Sequence, residues 1–307
     1  MTKVIQEPLS GARKKGFAAW INEESTAGVV FSLPFIVGFL MFMLIPMGLS
    51  LYYSFCKYDI QTPPSWIGVA NYVRIFTNDR TFKKTLGVTC YFALIGTPLK
   101  VIFALIVALI LNHETKAVPF YRATYYLPSI IGGSVAVAIL WRRMFESNGT
   151  LNAILSPIFP GLAGYNWFKE GPAIWVLIIL TVWQFGSSML IFLSSLKQIP
   201  RELYEAATVD GANKWQQFRN ITLPQLSPTT FFVSVMLIIG CFKVYDTVAL
   251  MTGGGPGRAT KMLVTYTIDE FNAFKYGSAC AIAMVLLVLV LTVTLIQFRM
   301  EKKFSAD

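Results

Sequence analysis

Residues 25 to 56 carry no formal charge, nor do 123 to 141, 171 to 196, 220 to 242 or 276 to 298, and within 85 to 112 only Lys100 interrupts. Each run approaches or exceeds the roughly 20 apolar residues that a helix needs to cross a bilayer. The runs are continuously apolar rather than alternating, which excludes the strands of a lipid-facing barrel. With 55% hydrophobic and only 14% charged residues, against about 25% charged in soluble domains, the chain reads as an integral membrane protein. The predicted fold class is all-α, a bundle of six transmembrane helices.

An even number of spans returns both ends to one side. Arg13, Lys14 and Lys15 at the head and Arg299, Lys302 and Lys303 at the tail place that side in the cytoplasm by positive-inside retention. The bias is modest, because the first external segment, 57 to 84, holds Lys57, Arg74, Arg80, Lys83 and Lys84. The chain thus divides into a cytoplasmic tail 1–24, a membrane domain 25–299 and a cytoplasmic tail 300–307. The first apolar run is too long for a cleaved signal peptide and lacks a small-residue cleavage site, so it is expected to remain as an anchor. These flanks account for the net charge of +10, and nucleic-acid binding is not needed to explain it.

No catalytic or metal constellation is evident. Cys56, Cys90, Cys241 and Cys280 are widely spaced, without metal-ligand or redox spacing, and read as packing residues. His113 is the sole histidine, placed at the cytoplasmic end of the second span. The glycine-rich run TGGGPGRAT at 252–260 has no Gly-Lys-Ser/Thr after it and no strand before it, so it reads as turns rather than a phosphate loop.

The polar stretch EAATVDGANKWQQFRNITLP at 205–224 lies between two apolar runs. It fits Glu-Ala-Ala, three residues, Gly, nine residues, Ile, one residue, Leu-Pro, a spacing with a chance frequency on the order of 10⁻⁸ per window. Pro200 suits a helix start, with Glu202 and Glu205 near its positive end. Ala206 and Ala207 keep one surface thin, and Asp210-Gly211 offers a turn. A second short helix is expected through Trp215, Phe218 and Ile221, with Leu223 next and Pro224 opening the fifth span. An amphipathic loop lying on lipid is the plainer alternative.

The stretch resembles the cytoplasmic coupling loop of binding-protein-dependent ABC importer permeases. Further elements extend the resemblance along the chain: Leu33-Pro34, Pro46, Ser54-Phe55, WIGVANY at 66–72, PFYRATYYLP at 119–128, Trp141, GTLN at 149–152, FKVYD at 242–246 and TGGGP at 252–256. They are similar to the carbohydrate-uptake class, and specifically to the first of its two paired permeases. The resemblance implies the type I importer permease fold, with loop 200–224 contacting an ATPase through Glu205, Ala206, Ala207, Asp210, Gly211, Ile221, Leu223 and Pro224. It implies as partners a second homologous permease, two ATPase subunits, an external solute-binding protein, membrane lipid and a sugar or oligosaccharide solute. No cofactor is expected in this chain, because ATP and Mg would sit on the ATPase. The location implied is a bacterial or archaeal inner membrane. Maltose-type permeases carry extra spans and a large external domain, which this chain lacks.

Positions matching the sugar-contacting face of maltose-type permeases are Gln184, Ser187, Gly240, Cys241 and Val244. The residues themselves point to the same region, with Gln184, Ser187 and Ser188 in the middle of the fourth span and Lys243, Tyr245 and Asp246 in the outer part of the fifth. Amide, hydroxyl and aromatic groups suit sugars, and Gln and Ser equally suit hydrogen bonds between helices. Lys243 and Asp246, three apart, are expected to pair on one helix face. Lys100 is costly at mid-span unless it snorkels or faces water or a carboxylate. Lys100, Arg142, Arg143 and Lys243 leave room for glycerol phosphate or acidic sugars as cargo. A secondary transporter shares polar midplane residues but has no use for an ATPase-docking loop.

Overall fold

A computed structural model describes residues 24–59, 61–112 and 117–304, with side chains over 28–59, 61–112 and 117–301. The head cluster Arg13, Lys14 and Lys15, the side chains of Lys302 and Lys303, and His113 lie outside the described residues. The chain divides into two units, the first ending at Tyr52 and the second beginning at Tyr53.

The first unit is dominated by one apolar helix. Helix α1 (Glu24–Phe39) passes through a π-helical turn at Leu40–Leu44 into α2 (Ile45–Ser54), and residues 28–54 are long and apolar enough to span a membrane. Pro46 explains the π turn. A proline ring clashes with the carbonyl four residues back, and widening the preceding turn, with the Ile45 amide bonding to the Leu40 carbonyl, relieves that contact without breaking the helix. The device recurs at Phe218–Thr222, two residues before Pro224.

The second unit opens with a two-residue antiparallel ladder, β1 (Cys56–Lys57) against β2 (Ser65–Trp66), followed by the short helix α3 (Ala70–Thr77). The WIGVANY segment explains itself here. Gly68 takes φ +58°, which favours glycine. The buried Asn71 amide donates to the carbonyls of Ser54 and Cys56, both at 2.9 Å. Helix α4 (Arg80–Leu111) follows, capped by Asp79, whose carboxylate accepts from the Phe82 amide at 3.0 Å. It is the central helix of the unit.

Three predicted spans are bent helix pairs rather than single helices. Helices α5 (Val118–Ile131) and α6 (Val135–Phe145) meet at 96°, α8 (Pro172–Trp183) and α9 (Gly186–Leu196) at 43°, and Lys214–Gln225 meets α13 (Ser227–Phe242) at 61°. The continuous spans expected at 123–141 and 171–196 are therefore each broken. The first bend falls at Gly132-Gly133-Ser134, where Ser134 restarts a helix by accepting from the Val137 amide. The second falls at Gln184, which leaves the helix at ψ 40°. The fifth span is opened not by Pro224 but by Ser227 and Pro228, because Pro224 is taken up in the preceding helical stretch. With α16 (Tyr276–Phe304) as the third long apolar helix, the described residues hold up to six spans when each bent pair is counted as one.

Outside the spans, α7 (Thr150–Leu155) is organised by Asn152. Its amide donates to the carbonyls of Ser147 and Tyr165, and its oxygen accepts from the Trp167 indole at 2.7 Å. Helix α14 (Asp246–Met251) leads into the TGGGP run, where Gly253, Gly254 and Gly257 have φ between +53° and +83°, as turns require. Helix α15 (Leu263–Asn272) packs on α4 and α16 at one end of the bundle. Tyr266 on it donates to the Asp79 carboxylate, and Arg74 pairs with Glu270 at 3.5 Å.

Candidate functional site

Two sets of residues come together, one on the loop between α9 and α13 and one at the helix breaks. The loop is a helix–turn–helix in its own right. Helix α10 (Arg201–Val209) starts after Pro200, which stands at the cap position, and α11 (Lys214–Gln217) begins with a reciprocal capping box between Asn213 and Gln216. Between them Gly211 turns at φ +80°, so the glycine in the motif is required by backbone geometry. Gln217 is buried and ties the hairpin, its amide donating to the Thr208 hydroxyl at 2.9 Å and the Ala212 carbonyl at 3.2 Å. Tyr204 and Thr222 join their hydroxyls at 2.9 Å.

This scaffold sets what the loop shows and what it hides. Glu202, Glu205, Ala206 and Val209 fall at helical spacing along one side of α10 and are all exposed, Val209 at 88% and Trp215 on α11 at 67%. Asp210, Leu223 and Pro224 are also exposed. Ala207 is half-buried and uses its carbonyl to accept from the Ala212 amide. Ile221 is turned inward against the apolar cluster of Phe192, Leu196 and Leu226. The eight loop positions of the motif thus divide into a presented face and its support. Gln217 was not singled out by sequence, although a polar residue inside an amphipathic repeat marks it.

At the breaks, Gln184 donates its side-chain amide to the Gly132 carbonyl at 3.0 Å, and its backbone carbonyl accepts from the Ser129 hydroxyl at 3.1 Å. The same hydroxyl oxygen accepts from the Ser187 amide at 3.1 Å. A side chain on Gly132 would strike Gln184, and one on Gly186 would lie 2.5 Å from the Tyr125 carbonyl. The two bent pairs therefore interlock at their breaks through small residues and shared hydrogen bonds, as membrane helices without a hydrophobic driving force do. Of the two readings open for Gln184, the geometry favours the tie between helices. Gly132, Ser129 and Gly186 were missed by sequence reasoning, although Gly-Gly-Ser inside an apolar run was a legible break signal.

The remaining path positions divide. Ser187 is exposed and Ser188 buried. Gly240 is exposed with open space where a side chain would project. Cys241 is buried and accepts from the Thr97 hydroxyl at 3.5 Å. Lys243, Val244 and Tyr245 lie beyond the end of α13, which stops at Phe242. The expected Lys243–Asp246 pair is absent among the described residues. The chain leaves the helix at Lys243 and restarts it at Asp246, so the three-residue spacing no longer stacks the two side chains. Lys100 is buried at 9% exposure in the middle of α4.

Comparison with known proteins fits this arrangement. Residues 65–306 match the family described as binding-protein-dependent transport system inner membrane component. The probable ABC transporter permease YesP of Bacillus subtilis is 47% identical over 284 residues, covering 91% of each chain. The trehalose/maltose transport system permease MalF of Thermococcus litoralis is 32% identical, covering 91% of this chain and 95% of that one. A solved bacterial ABC transporter that imports the acidic polysaccharide alginate superposes with a TM-score of 0.75 at 24% identity, over 92% of this chain and 97% of that one, so it speaks to the fold. The chain belongs to the binding-protein-dependent family of inner membrane components, the multi-pass permeases of ABC importers.

Proposed function

We propose that this chain is one of two permease subunits of an ATP-driven importer of sugars, with oligosaccharides as the cargo. The observation that carries the reading is the loop at 200–224. A self-supported helical hairpin with an acidic and apolar face exposed, joined at both ends to bent spans, is built to dock on another protein and pass its movement into the bundle. Glu202 and Glu205 sit in the first turns of α10, beside Ala206 and Val209. Such a face suits a groove with a basic residue in it. The groove belongs to a separate ATPase, which holds ATP and Mg, and closure of the ATPase pair swings the bundle between inward-facing and outward-facing states.

The likeness to the trehalose/maltose permease supports a carbohydrate as cargo, and that to a solved alginate ABC transporter bound to its periplasmic protein supports an external solute-binding protein as partner; a second permease completes the reading. Both termini and the loop lie in the cytoplasm in this reading, and the TGGGP turns lie outside. Gly240, Ser187, Val244 and Tyr245 border the solute path between the two permeases.

Glu205→Lys is the direct test, because it leaves the fold of the exposed hairpin intact while placing like charges against the groove. We expect co-purification of the ATPase or solute-stimulated ATP hydrolysis to fall. Full coupling and uptake in the variant would remove the docking role.

A further inference from the structure

The charge that the proposed coupling does not use is Lys100. It stands eleven residues before Leu111, the end of α4, which at about 1.5 Å per residue is about 16 Å of helix and more than a lysine stem can reach. Snorkelling therefore does not solve its burial. Among the described residues no carboxylate pairs with it and no oxygen accepts a hydrogen bond from it, although it is 9% exposed. Buried charges are kept where they are paired, and an unpaired one in a membrane span marks a pathway.

Its surroundings point the same way. Along α4, Lys100 falls between Phe92, of an apolar cluster that also contains Cys241 and Phe242, and Val101, of a second that also contains Phe185 and Val233. It stands three residues, one helical turn, beyond Thr97, whose hydroxyl donates to Cys241 at 3.5 Å. Cys241 follows Gly240, whose missing side chain leaves open space. The cation thus sits beside the segment of α13 that borders the solute path.

We infer that Lys100 is the counter-charge for an anionic group on the solute, so that the cargo is a carboxylate- or phosphate-bearing saccharide or polyol. This inference rests on the importer reading given above. A lysine ammonium offers three donors to such an oxyanion, and charge-assisted bonds of that kind are about twice as strong as neutral ones. A neutral sugar would leave the ammonium without a charged partner as it passed.

The test uses the complete complex in proteoliposomes with three probes: a uronic-acid trisaccharide, glycerol phosphate and a neutral trisaccharide. Wild type is expected to take up one of the anionic probes in preference to the neutral one, and which anion it takes separates carboxylate from phosphate. Lys100→Met keeps the stem and removes the charge. Its uptake of that anion should fall about tenfold or more, while Lys100→Arg retains part of it. Uptake of the neutral probe alone, or equal anion uptake by wild type and Lys100→Met, overturns the inference and leaves the sugar-importer reading standing. Uptake of none of the three overturns both. Should Lys100→Met fail to assemble, the wild-type complex decides. The anionic probe should raise its thermal midpoint more than the neutral one, and a rise with the neutral probe alone refutes the assignment.

Discussion

Replacing Gln184 with Leu separates a tie between helices from a contact to solute. The bond from its amide to the Gly132 carbonyl, at 3.0 Å, is worth about 0.5–1.5 kcal/mol, and a stranded carbonyl adds about 1–3 kcal/mol where water is excluded. Gln184 is half-buried, and polar ties between membrane helices average only about 0.6 kcal/mol with a maximum near about 1.7. The lower part of the range therefore applies, about 1–2 kcal/mol. At about 2–4 °C per kcal/mol, the midpoint should fall by about 2–8 °C. Leu keeps a Cγ over Gly132, where the Gln184 side chain now lies, so the apolar contact survives and the loss belongs to the hydrogen bond. Heating the detergent-purified complex and following the intact assembly by size exclusion measures the midpoint. Solute-stimulated ATP hydrolysis on the same preparation measures affinity. We expect a lower midpoint with unchanged affinity in the surviving assemblies. An unchanged midpoint with several-fold weaker affinity would refute the tie, and a variant unaltered in both would refute any role for the side chain.

Three further outcomes follow from the structure. Gly186→Ala should lower assembly more than Gly240→Ala, because the added carbon meets the Tyr125 carbonyl at 2.5 Å in the first case and open space in the second; equal yields would contradict the interlock. Gly211→Val should uncouple ATP hydrolysis from uptake, since φ +80° resists a β-branched residue, and unchanged coupling would show that the turn can relax. An impermeant thiol reagent applied outside intact cells should modify a cysteine placed at Gly254 and not one at Asn213, and the reverse pattern would invert the orientation.

The α15 end of the bundle should respond to pH from both sides. Burial raises the Asp79 carboxyl, but the hydroxyl of Tyr266, the Phe82 amide and nearby Arg74 outweigh it and hold the group below its ordinary range. Burial and the Asp79 bond raise Tyr266 well above the usual tyrosine value of 10.0. A lowered carboxyl stabilises the fold above the ordinary carboxylate range and loses that contribution as pH falls through its folded value. A raised phenol stabilises it below the ordinary tyrosine range and loses that contribution as pH climbs through its own. Hydrogen exchange of α15 should therefore quicken at both extremes. Tyr266→Phe should flatten both limbs, and an unaltered profile would discount the pair.

What was legible in the sequence and what was not differ in physical kind. Length and continuous apolarity made the six spans readable, because transfer into lipid depends on composition and not on detail. The loop was readable because its glycine, prolines and caps act locally, as Gly211 and the Asn213–Gln216 box show. The bends were not read, since a broken span is as apolar as a straight one. Gly132-Gly133-Ser134 and Gln184 declare themselves only when the Gly132 carbonyl freed at one break is seen to be satisfied from the other. The Lys243–Asp246 pair failed for the same reason: helical spacing was extended past Phe242, where the helix ends.

If the loop docks as proposed, the packing beneath it offers a route from the loop into the bundle. Tyr204 and Ile221, on either side of the presented face, rest on an apolar cluster that also holds Phe192 and Leu193 of α9, Leu226 at the head of α13, and Val101 of α4. A close-packed cluster of this kind moves as a body rather than deforming, because interiors have little free volume to absorb strain. Displacing α10 must therefore displace α9, α13 and α4 together or break their packing. The places where the helices already change direction are the bends, at Leu226 and at Gln184. In the importer reading proposed above, motion imposed at the loop would be delivered to the region of Lys100, Cys241 and Gly240.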